Sequence, residues 1–268
     1  MARKINPVTI KTLQAMKERG EKIVALTAYD YITARILDDV GVDLILVGDS
    51  AANVFAGEKT TLGISLEEML YHTRIVARAV KRALVIGDMP FMSFHLSRTR
   101  TVENAGRFLR AGAKGVKLEG AQPIIRTIRY LVQIGIPVMG HLGLLPQSVH
   151  QLGGLDLQGT KEKDQERMLA EAKLLEQAGC FALVLEKIPS GLAKRITANV
   201  KIPTIGIGAG PHCDGQILVI YDMLGLFRKL RPQFVKRYAE LNQTIRKAVS
   251  RFREEVKAGK FPAKKHSF

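Results

Sequence analysis

The chain has 268 residues, of which 46% are hydrophobic; this is enough to bury a sizeable core and matches the roughly 250 residues of one parallel barrel better than two domains. No apolar run approaches the roughly 20 residues of a membrane helix, and the start MARKINPVTI lacks the apolar stretch of a secretory signal, so we expect a cytoplasmic protein. The two cysteines, Cys180 and Cys213, are too few for a disulfide framework and are not spaced as a metal knuckle, so we interpret both as buried or semi-buried thiols.

Short apolar runs that end at glycine, proline or a charged residue predict eight strands. In chain order they lie at residues 23–30, 43–50, 83–90, 115–120, 137–143, 181–187, 203–210 and 217–224. Helical patterns separate most of them, and several of these patterns end at glycine. The link between the seventh and eighth strands lacks room for a full helix.

This alternation predicts a parallel sheet covered by helices, and eight repeats favour closure into a (β/α)8 TIM barrel. An open, doubly wound sheet is the alternative. We expect one catalytic domain over residues 1–268, with an N-terminal helical addition, a barrel body at about 23–227 and a C-terminal helical extension at about 228–268. Within that extension, the pattern from Pro232 to Gly259 predicts a long amphipathic helix.

The net charge of +16 would ordinarily suggest nucleic acid or another polyanion as a partner. Most of the excess is terminal, because residues 228–268 hold 13 Lys or Arg against 3 Glu, whereas the middle of the chain is nearly neutral. A solvated helical face is therefore the favoured interpretation, and a polyanion site is the alternative.

Polar residues recur where successive predicted strands end, which in a parallel barrel is the end that carries the chemistry. They are Asp49 and Ser50, Asp88, Lys117 and Glu119, His141, and Glu186. One such acid could cap a helix or turn, but carboxylates buried together repel one another unless a positive charge lies among them. The oxygen ligands of Asp49, Asp88 and Glu119 suit Mg²⁺ better than a softer metal.

Two further features leave alternatives open. His141 could suggest Zn²⁺, but without a second histidine or a cysteine at ligand spacing it is interpreted as a substrate-contacting or packing residue. The GIGAG run at 206–210 resembles a phosphate cradle, yet a proline follows it directly. We therefore interpret it as a tight turn close to the pocket floor, with phosphate binding as the alternative.

Specific stretches along nearly the whole chain resemble the ketopantoate hydroxymethyltransferase (3-methyl-2-oxobutanoate hydroxymethyltransferase) family. They are LTAYD, VGDS, TTLGISLEEMLYHTRIVARAV, GDMPFMSF, GVKLEG, GHLGLLPQSVHQLGG, LVLEKIPS, GIGAGPHCDGQILVIYDMLG and the FP…HSF tail. The resemblance implies transfer of a hydroxymethyl group from 5,10-methylenetetrahydrofolate to 3-methyl-2-oxobutanoate, giving 2-dehydropantoate in a Mg²⁺-dependent barrel. It also implies a homodecamer.

By motif position, the resemblance assigns Mg²⁺ to Asp49, Asp88 and Glu119. It implies that the 2-oxo acid contacts Asp49 with Ser50, Asp88 and Lys117, and it makes Glu186 the proton acceptor. His141 matches a pocket histidine. These roles suit the reaction, because a bound cation stabilises the enolate formed when the C3 proton leaves.

The chain departs from the family pattern in two places. It has Ala51-Ala52-Asn53 where Leu-Gly-Met is usual, with Gly63 in place of a later proline, and it has Lys187 where a small or thiol residue follows the base. Neighbouring strand residues face opposite sides, so Lys187 is expected to point away from Glu186.

Two rival functions remain at this stage. Within enzymes, a Mg²⁺-dependent lyase or mutase of the phosphoenolpyruvate mutase and isocitrate lyase type would use similar 2-oxo acid chemistry and differs in not needing folate. From another class, the basic tail could belong to a nucleic-acid-binding barrel, which salt-sensitive binding would reveal.

Overall fold

The computed structural model of the chain describes residues 6–227 and 232–268. Eight parallel strands follow one another around a closed barrel, and the eighth pairs with the first. This arrangement confirms the (β/α)8 barrel and excludes the open sheet. The strands are β1 (Ile23–Thr27), β2 (Leu44–Val47), β3 (Leu84–Asp88), β4 (Gly115–Glu119), β5 (Val138–Gly143), β6 (Ala182–Glu186), β7 (Thr204–Ile207) and β8 (Gly215–Leu218).

Helices alternate with most of the strands, as the sequence pattern predicts. The α-helices are α1 (Ile10–Glu18), α2 (Tyr31–Asp39), α3 (Ala51–Val54), α4 (Leu66–Ala79), α5 (Arg98–Arg110), α6 (Ile125–Gln133), α7 (Val149–Leu152), α8 (Glu162–Gln177), α9 (Ser190–Asn199), α10 (Ile220–Met223) and α11 (Leu241–Lys257). Short 3-10 turns lie at Thr61–Gly63, Gln122–Ile124, Pro146–Ser148 and Lys264–His266. The short connection from β7 to β8 carries no helix.

Side-chain caps explain where several helices begin. Asp30, the last residue of the LTAYD run, does not belong to β1; its carboxylate accepts a hydrogen bond from the backbone N–H of Thr33 and caps α2. Ser65 and Glu68 form a reciprocal capping box at the start of α4. These caps fix where α2 and α4 begin.

The N-terminal helix closes one end of the barrel interior. Leu13 is fully buried and Met16 is 5% exposed, and both belong to the cluster of apolar side chains that fills the barrel between its strands. Lys17 adds an ion pair, with its Nζ 2.8 Å from Oδ2 of Asp214. Because α1 covers the N-terminal end of the strands, the polar residues described below lie at the opposite, C-terminal end.

The eighth strand differs from its prediction at 217–224. It occupies Gly215–Leu218, and the rest of the apolar run forms the short helix Ile220–Met223. Register sets the start, because Gly215 pairs with both Ile23 and Ile205, and a Cβ at Gly215 would lie 2.5 Å from the carbonyl oxygen of Ile23. An apolar run alone does not distinguish a buried strand from a buried helix.

The chain divides into two compact units, Met1–Val219 and Ile220–Phe268. In the second unit the amphipathic helix begins at Leu241 instead of Pro232. The preceding residues instead make turn contacts, and the N–H of Tyr238 donates to the carbonyl oxygen of Met223 at 2.8 Å. The helix is amphipathic as predicted, with exposed apolar side chains at Ile245, Val249, Phe252 and Val256.

Two composition-based expectations can be compared with the structure. Cys180 and Cys213 are both free and buried, as predicted. Within residues 6–227 and 232–268, no helix has the length and apolar character needed to cross a membrane.

Candidate active site

All the polar residues singled out in the sequence lie at or just beyond the C-terminal ends of β2 to β6. The parallel register brings them together in pairs on neighbouring strands: Asp88 pairs with Lys117, and Glu119 pairs with His141. Glu186 ends β6 beside Gly143 of β5. The sequence therefore predicted the placement of these side chains at one end of the barrel.

Asp49, Asp88 and Lys117 form one buried part of this cluster. Their exposed fractions are 4%, 1% and 3%. The Lys117 ammonium donates to Oδ1 of Asp88 at 2.7 Å, and the backbone N–H of Asp49 donates to Oδ2 of the same carboxylate at 3.1 Å. Asp88 is thus held on both oxygens, by a charge and by a backbone dipole.

Glu119 and His141 connect this part to Glu186. Lys117 Nζ lies 3.7 Å from Oε1 of Glu119, so the two residues of β4 share one pocket, as their spacing predicts. The His141 ring lies between two carboxylates, with Nδ1 3.5 Å from Oε1 of Glu119 and Nε2 3.3 Å from Oε2 of Glu186. Neither ring nitrogen makes a hydrogen bond of good geometry. The Glu186 side chain is 17% exposed, against 3% for Glu119.

The pKa values in the cluster reflect burial together with crowded negative charge. Burial, followed by repulsion from Asp88, raises the pKa of Asp49 well above its usual range. Burial also raises the pKa of Asp88, although Lys117 opposes the shift. For Glu119, His141 and Lys117 outweigh the effect of burial and lower the pKa.

The two basic groups respond in the opposite sense. Burial alone would lower the pKa of Lys117, but Asp88, Glu119 and Asp49 outweigh it, and the pKa is raised. Burial and the Lys117 charge would lower the pKa of His141, but contacts with Glu119 and Glu186 raise it to about 9. The ammonium and the imidazolium are therefore the stable forms at neutral pH.

Sequence reasoning missed Gln147, which lies in the 3-10 turn after β5 and is 5% exposed. Its Nε2 donates to Oδ2 of Asp49 at 2.9 Å and to the carbonyl oxygen of Met89 at 3.0 Å. Its backbone N–H donates to Oε2 of Glu119 at 3.0 Å. A glutamine in a turn has no sequence signature of its own, although it stands in the stretch GHLGLLPQSVHQLGG.

Ser50 lies at the edge of the cluster, and its Oγ is 2.8 Å from the hydroxyl oxygen of Tyr29. Tyr29 was not singled out by the sequence, although it belongs to the LTAYD run. The unusual residues after Ser50 form the short helix α3, in which Ala51 and Ala52 are fully buried. Compared with the Leu-Gly of the family pattern, the chain next to Ser50 therefore carries a smaller side chain at position 51 and a larger one at position 52.

Lys187 points away from Glu186, as expected. Its Nζ donates to the carbonyl oxygen of Leu155, and its own carbonyl oxygen accepts from the N–H of Gln158 at 3.0 Å. The backbone at Lys187 has a φ of 47°, a left-handed conformation that is uncommon for a lysine. The residue after Glu186 thus holds the loop between α7 and α8.

Gly143 brings the backbone of β5 close to that of Glu186. It has a φ of 98°, and a Cβ at this position would lie 2.1 Å from the carbonyl oxygen of Glu186. Any side chain would therefore displace one of the two strand ends. The N–H of the next residue, Leu144, donates to that same carbonyl oxygen at 2.8 Å.

The GIGAG run ends β7 and turns the chain, as the favoured interpretation predicts. Gly208 and Gly210 have φ values of 63° and 77°, which glycine adopts without strain. The carbonyl oxygen of Gly210 accepts a hydrogen bond from Nε2 of Gln216 at 2.9 Å. This bond ties the turn to β8.

The donor set of the cluster fits a divalent cation, although the side chains do not form a ready-made cage. In the part of the chain that the structure describes, no three histidine, cysteine, aspartate or glutamate side chains already stand as a metal-holding group. Three buried carboxylates nonetheless share one ammonium, and Oε1 of Glu119 has no hydrogen-bond partner. Hard oxygens with excess negative charge suit a hard cation, and Gln147 holds only Oδ2 of Asp49.

Comparison with known proteins gives a consistent answer over the whole chain. The family model described as ketopantoate hydroxymethyltransferase matches residues 7–264. The 3-methyl-2-oxobutanoate hydroxymethyltransferase of Prosthecochloris aestuarii is 53% identical over 99% of this chain and 98% of its own length. The enzyme of the same name from Caldicellulosiruptor saccharolyticus is 50% identical over 98% of this chain and 100% of its own.

Solved structures similar to this one share its fold at low sequence identity. A phosphonopyruvate hydrolase in complex with oxalate and Mg²⁺ has a TM-score of 0.62 at 14% identity, covering 96% of this chain and 92% of its own. A 2,3-dimethylmalate lyase, described as a phosphoenolpyruvate mutase/isocitrate lyase superfamily member, has a TM-score of 0.61 at 16% identity, with coverages of 96% and 91%. At such identities the likeness concerns the barrel alone.

Proposed function

The chain belongs to the ketopantoate hydroxymethyltransferase family, and we propose that it transfers a hydroxymethyl group from 5,10-methylenetetrahydrofolate to 3-methyl-2-oxobutanoate, giving 2-dehydropantoate. One observation carries the proposal beyond the family name: three buried carboxylates and a buried ammonium lie beside a partly exposed glutamate. Such a site can hold a divalent cation, bind a small anion through that cation and the ammonium, and place a base next to it.

We assign the cation site to Asp49, Asp88 and Glu119, with Mg²⁺ as the cation, on the strength of their oxygen donors and shared burial. When bound, the cation supplies Lewis-acid stabilisation of the negative charge that develops on the keto oxygen of the substrate. Excess negative charge among these residues supports the assignment, since burial and Asp88 raise the pKa of Asp49.

The chain's own residues then bind and orient the 2-oxo acid. Lys117, whose charge is stabilised by Asp88 at 2.7 Å, offsets the substrate carboxylate. Ser50, with its hydroxyl positioned by Tyr29, contributes a hydrogen bond at the rim. Together with Asp49 and Asp88, these groups make up the proposed substrate site, in which burial strengthens each polar contact.

Glu186 is the proposed general base. Its carboxylate takes the proton from C3, and the electrons of the broken C–H bond form the enolate double bond. The enolate carbon then forms a bond to the methylene carbon of the folate, and water supplies the hydroxyl group that this carbon carries in the product. The bond from the same carbon to the folate nitrogen breaks, so that tetrahydrofolate leaves with a proton on that nitrogen. The greater exposure of Glu186, 17% against 3% for Glu119, suits a base that meets two substrates.

His141 is a positioning group in this scheme. Its ring lies within 3.5 Å of both Glu119 and Glu186, and its raised pKa favours an imidazolium that attracts both carboxylates. The ring therefore restricts where the base can move. Contact with the substrate, which the family resemblance suggests, is part of the same proposal.

Three broader properties belong to the proposal as well. We place the enzyme in the cytoplasm, as a homo-oligomer that the family resemblance makes a decamer. We also treat residues 1–268 as one catalytic domain with a C-terminal helical extension, whose basic residues form a solvated face. The proposal leaves the GIGAG turn without a phosphate role.

The lyase or mutase alternative is not favoured. Its support is likeness of fold at about 15% identity, whereas relatives at 50% identity or more carry the hydroxymethyltransferase name. Folate dependence separates the lyase or mutase from the hydroxymethyltransferase.

The nucleic-acid-binding alternative predicts salt-sensitive binding of duplex or single strands, and absence of such binding would exclude this alternative.

The decisive experiment follows deuterium at C3 of 3-methyl-2-oxobutanoate. We expect loss of deuterium to water with enzyme and Mg²⁺ alone, and release of 2-dehydropantoate after methylenetetrahydrofolate is added. Product formed without folate would overturn the assignment, and so would retention of deuterium with Mg²⁺ present.

A further inference from the structure

Gln147 is the side chain that joins the candidate cation ligands to one another. It comes from the turn after β5, yet it contacts residues that follow or end β2, β3 and β4. Its side chain holds Asp49 and the carbonyl oxygen of Met89, the residue after Asp88, while its backbone N–H holds Glu119. All of these contacts are buried.

The orientation of the Gln147 amide follows from its partners. The two groups within reach of Nε2 are a carboxylate oxygen and a carbonyl oxygen, both of which only accept hydrogen bonds. A flipped amide would place Oε1 against both of them. Nε2 therefore donates both of its hydrogens to these two protein oxygens, and Oε1 points away from them.

Oε1 of Gln147 is buried and has no hydrogen-bond partner. A buried acceptor of this kind is destabilising unless a donor reaches it. The 2-oxo acid is a poor candidate, because its keto and carboxylate groups offer no donor at neutral pH. Water bound to a divalent cation is a donor, and Mg²⁺ characteristically retains several waters when proteins bind it.

We propose that Gln147 is a positioning residue for the cation site: Nε2 and the backbone N–H orient the carboxylates of Asp49 and Glu119, and Oε1 accepts a hydrogen bond from a water of the cation's hydration shell. This inference rests on the cation site of the proposed function. It adds a second layer to that site, because the glutamine acts through the carboxylates and the water.

The test compares Mg²⁺ binding by the wild type and Gln147→Met, measured by calorimetry on the full chain without keto acid or folate. Methionine keeps the side-chain length and removes both amide atoms, while the backbone bond to Glu119 remains. Gln151→Met is the matched control, since Gln151 is exposed four residues further along. Gln147→Asn, which keeps an amide but shortens its reach, serves if the methionine variant fails to fold.

We expect Gln147→Met to bind Mg²⁺ about 10- to 100-fold more weakly, the usual loss for a group that orients metal ligands, and Gln151→Met to bind as the wild type does. In turnover, the KM for Mg²⁺ should rise by a similar factor, and saturating Mg²⁺ should restore most of kcat. A purely structural glutamine would instead lower kcat at every Mg²⁺ concentration. That result, or an affinity within about twofold of the wild type, would overturn the inference.

The water contact has its own readout. With Mn²⁺ in place of Mg²⁺, proton relaxation of the solvent reports exchange of cation-bound water, and loss of the acceptor at Oε1 should speed that exchange in Gln147→Met. Unchanged exchange would remove Oε1 from the proposal. If the wild type binds neither cation, the cation site of the proposed function fails; if the wild type binds and the variant binds equally well, only the role of Gln147 fails.

Discussion

The Nε2 atom of His141 lies 3.3 Å from Oε2 of Glu186. The opposite ring nitrogen, Nδ1, lies 3.5 Å from Oε1 of Glu119, so one imidazole links the candidate base to a candidate cation ligand. The link keeps the two carboxylates apart, one on each side of the ring, although both occupy the same end of the barrel. The roles of Glu186 and Glu119 can therefore be tested separately.

Replacing Glu186 by glutamine should stop proton removal and leave binding intact. The amide keeps the size of the side chain but is not a base, so turnover should fall by about 10²- to 10⁴-fold. Mg²⁺ and substrate affinities should stay close to those of the wild type. Deuterium loss from C3 measures the step directly, and Glu103→Gln, on an exposed position of α5, is the control. Near-normal exchange in Glu186→Gln would remove it from the role.

Replacing Asp88 by asparagine should weaken Mg²⁺ dependence and substrate affinity together. The change removes a candidate ligand and also leaves the buried Lys117 ammonium, now 2.7 Å from Oδ1 of Asp88, without its nearest opposite charge. Breaking a buried pair in this way destabilises a protein by about 3–5 kcal/mol. A Mg²⁺ titration of activity and a denaturant curve measure the two effects. Asp156→Asn, in an exposed loop, is the control, and an unchanged Mg²⁺ titration would contradict the ligand assignment.

Cys180 should be inert towards thiol reagents in the folded protein. Burial raises the pKa of this thiol to about 12, so at about pH 8 its thiolate fraction is roughly a thousandfold below that of a free cysteine. Burial raises the pKa of Cys213 as well. Colour release from Ellman's reagent should be slow in the native state and rapid in guanidinium chloride. Rapid labelling of the native protein would show that these sites open far more often than their burial implies.

Replacing Ser65 by alanine should destabilise the protein by about 1 kcal/mol, the usual loss for a helix N-cap. The hydrogen bonds from Ser65 lower the pKa of Glu68 below its ordinary 4.5, so this pair contributes stability above that pH and loses it as the pH falls through the lowered pKa. The gap in unfolding free energy between the wild type and Ser65→Ala should therefore narrow in acid. Ser250→Ala, on the exposed face of α11, is the control, and a gap that widens in acid would contradict the capping argument.

Most of the barrel could be predicted because buried parallel strands have continuous apolar sequences. The run at 217–224 misled for the same reason, since its mainly apolar residues continue past the strand into the helix Ile220–Met223. The start of the C-terminal helix was placed too early at Pro232 because amphipathic spacing does not reveal that residues before Leu241 bond back to other turns.

The polar cluster was predictable as a set, because each member ends or follows a strand and strand ends converge in a closed barrel. The roles within it came from the family resemblance. Gln147 and Tyr29 were not predicted, because their importance lies in their hydrogen bonds to site residues. Gln147 bonds to Asp49, and Tyr29 bonds to Ser50. Neither residue type, seen alone in a sequence, signals such a contact.

The close approach at Gly143 limits how this enzyme could be redesigned. Because even a methyl group there would collide with the backbone of Glu186, mutation of Gly143 would displace the carboxylate of the candidate base. Ala51 and Ala52, which lie in the short helix α3, take no part in this backbone contact, so variation there leaves the approach of Gly143 to Glu186 in place.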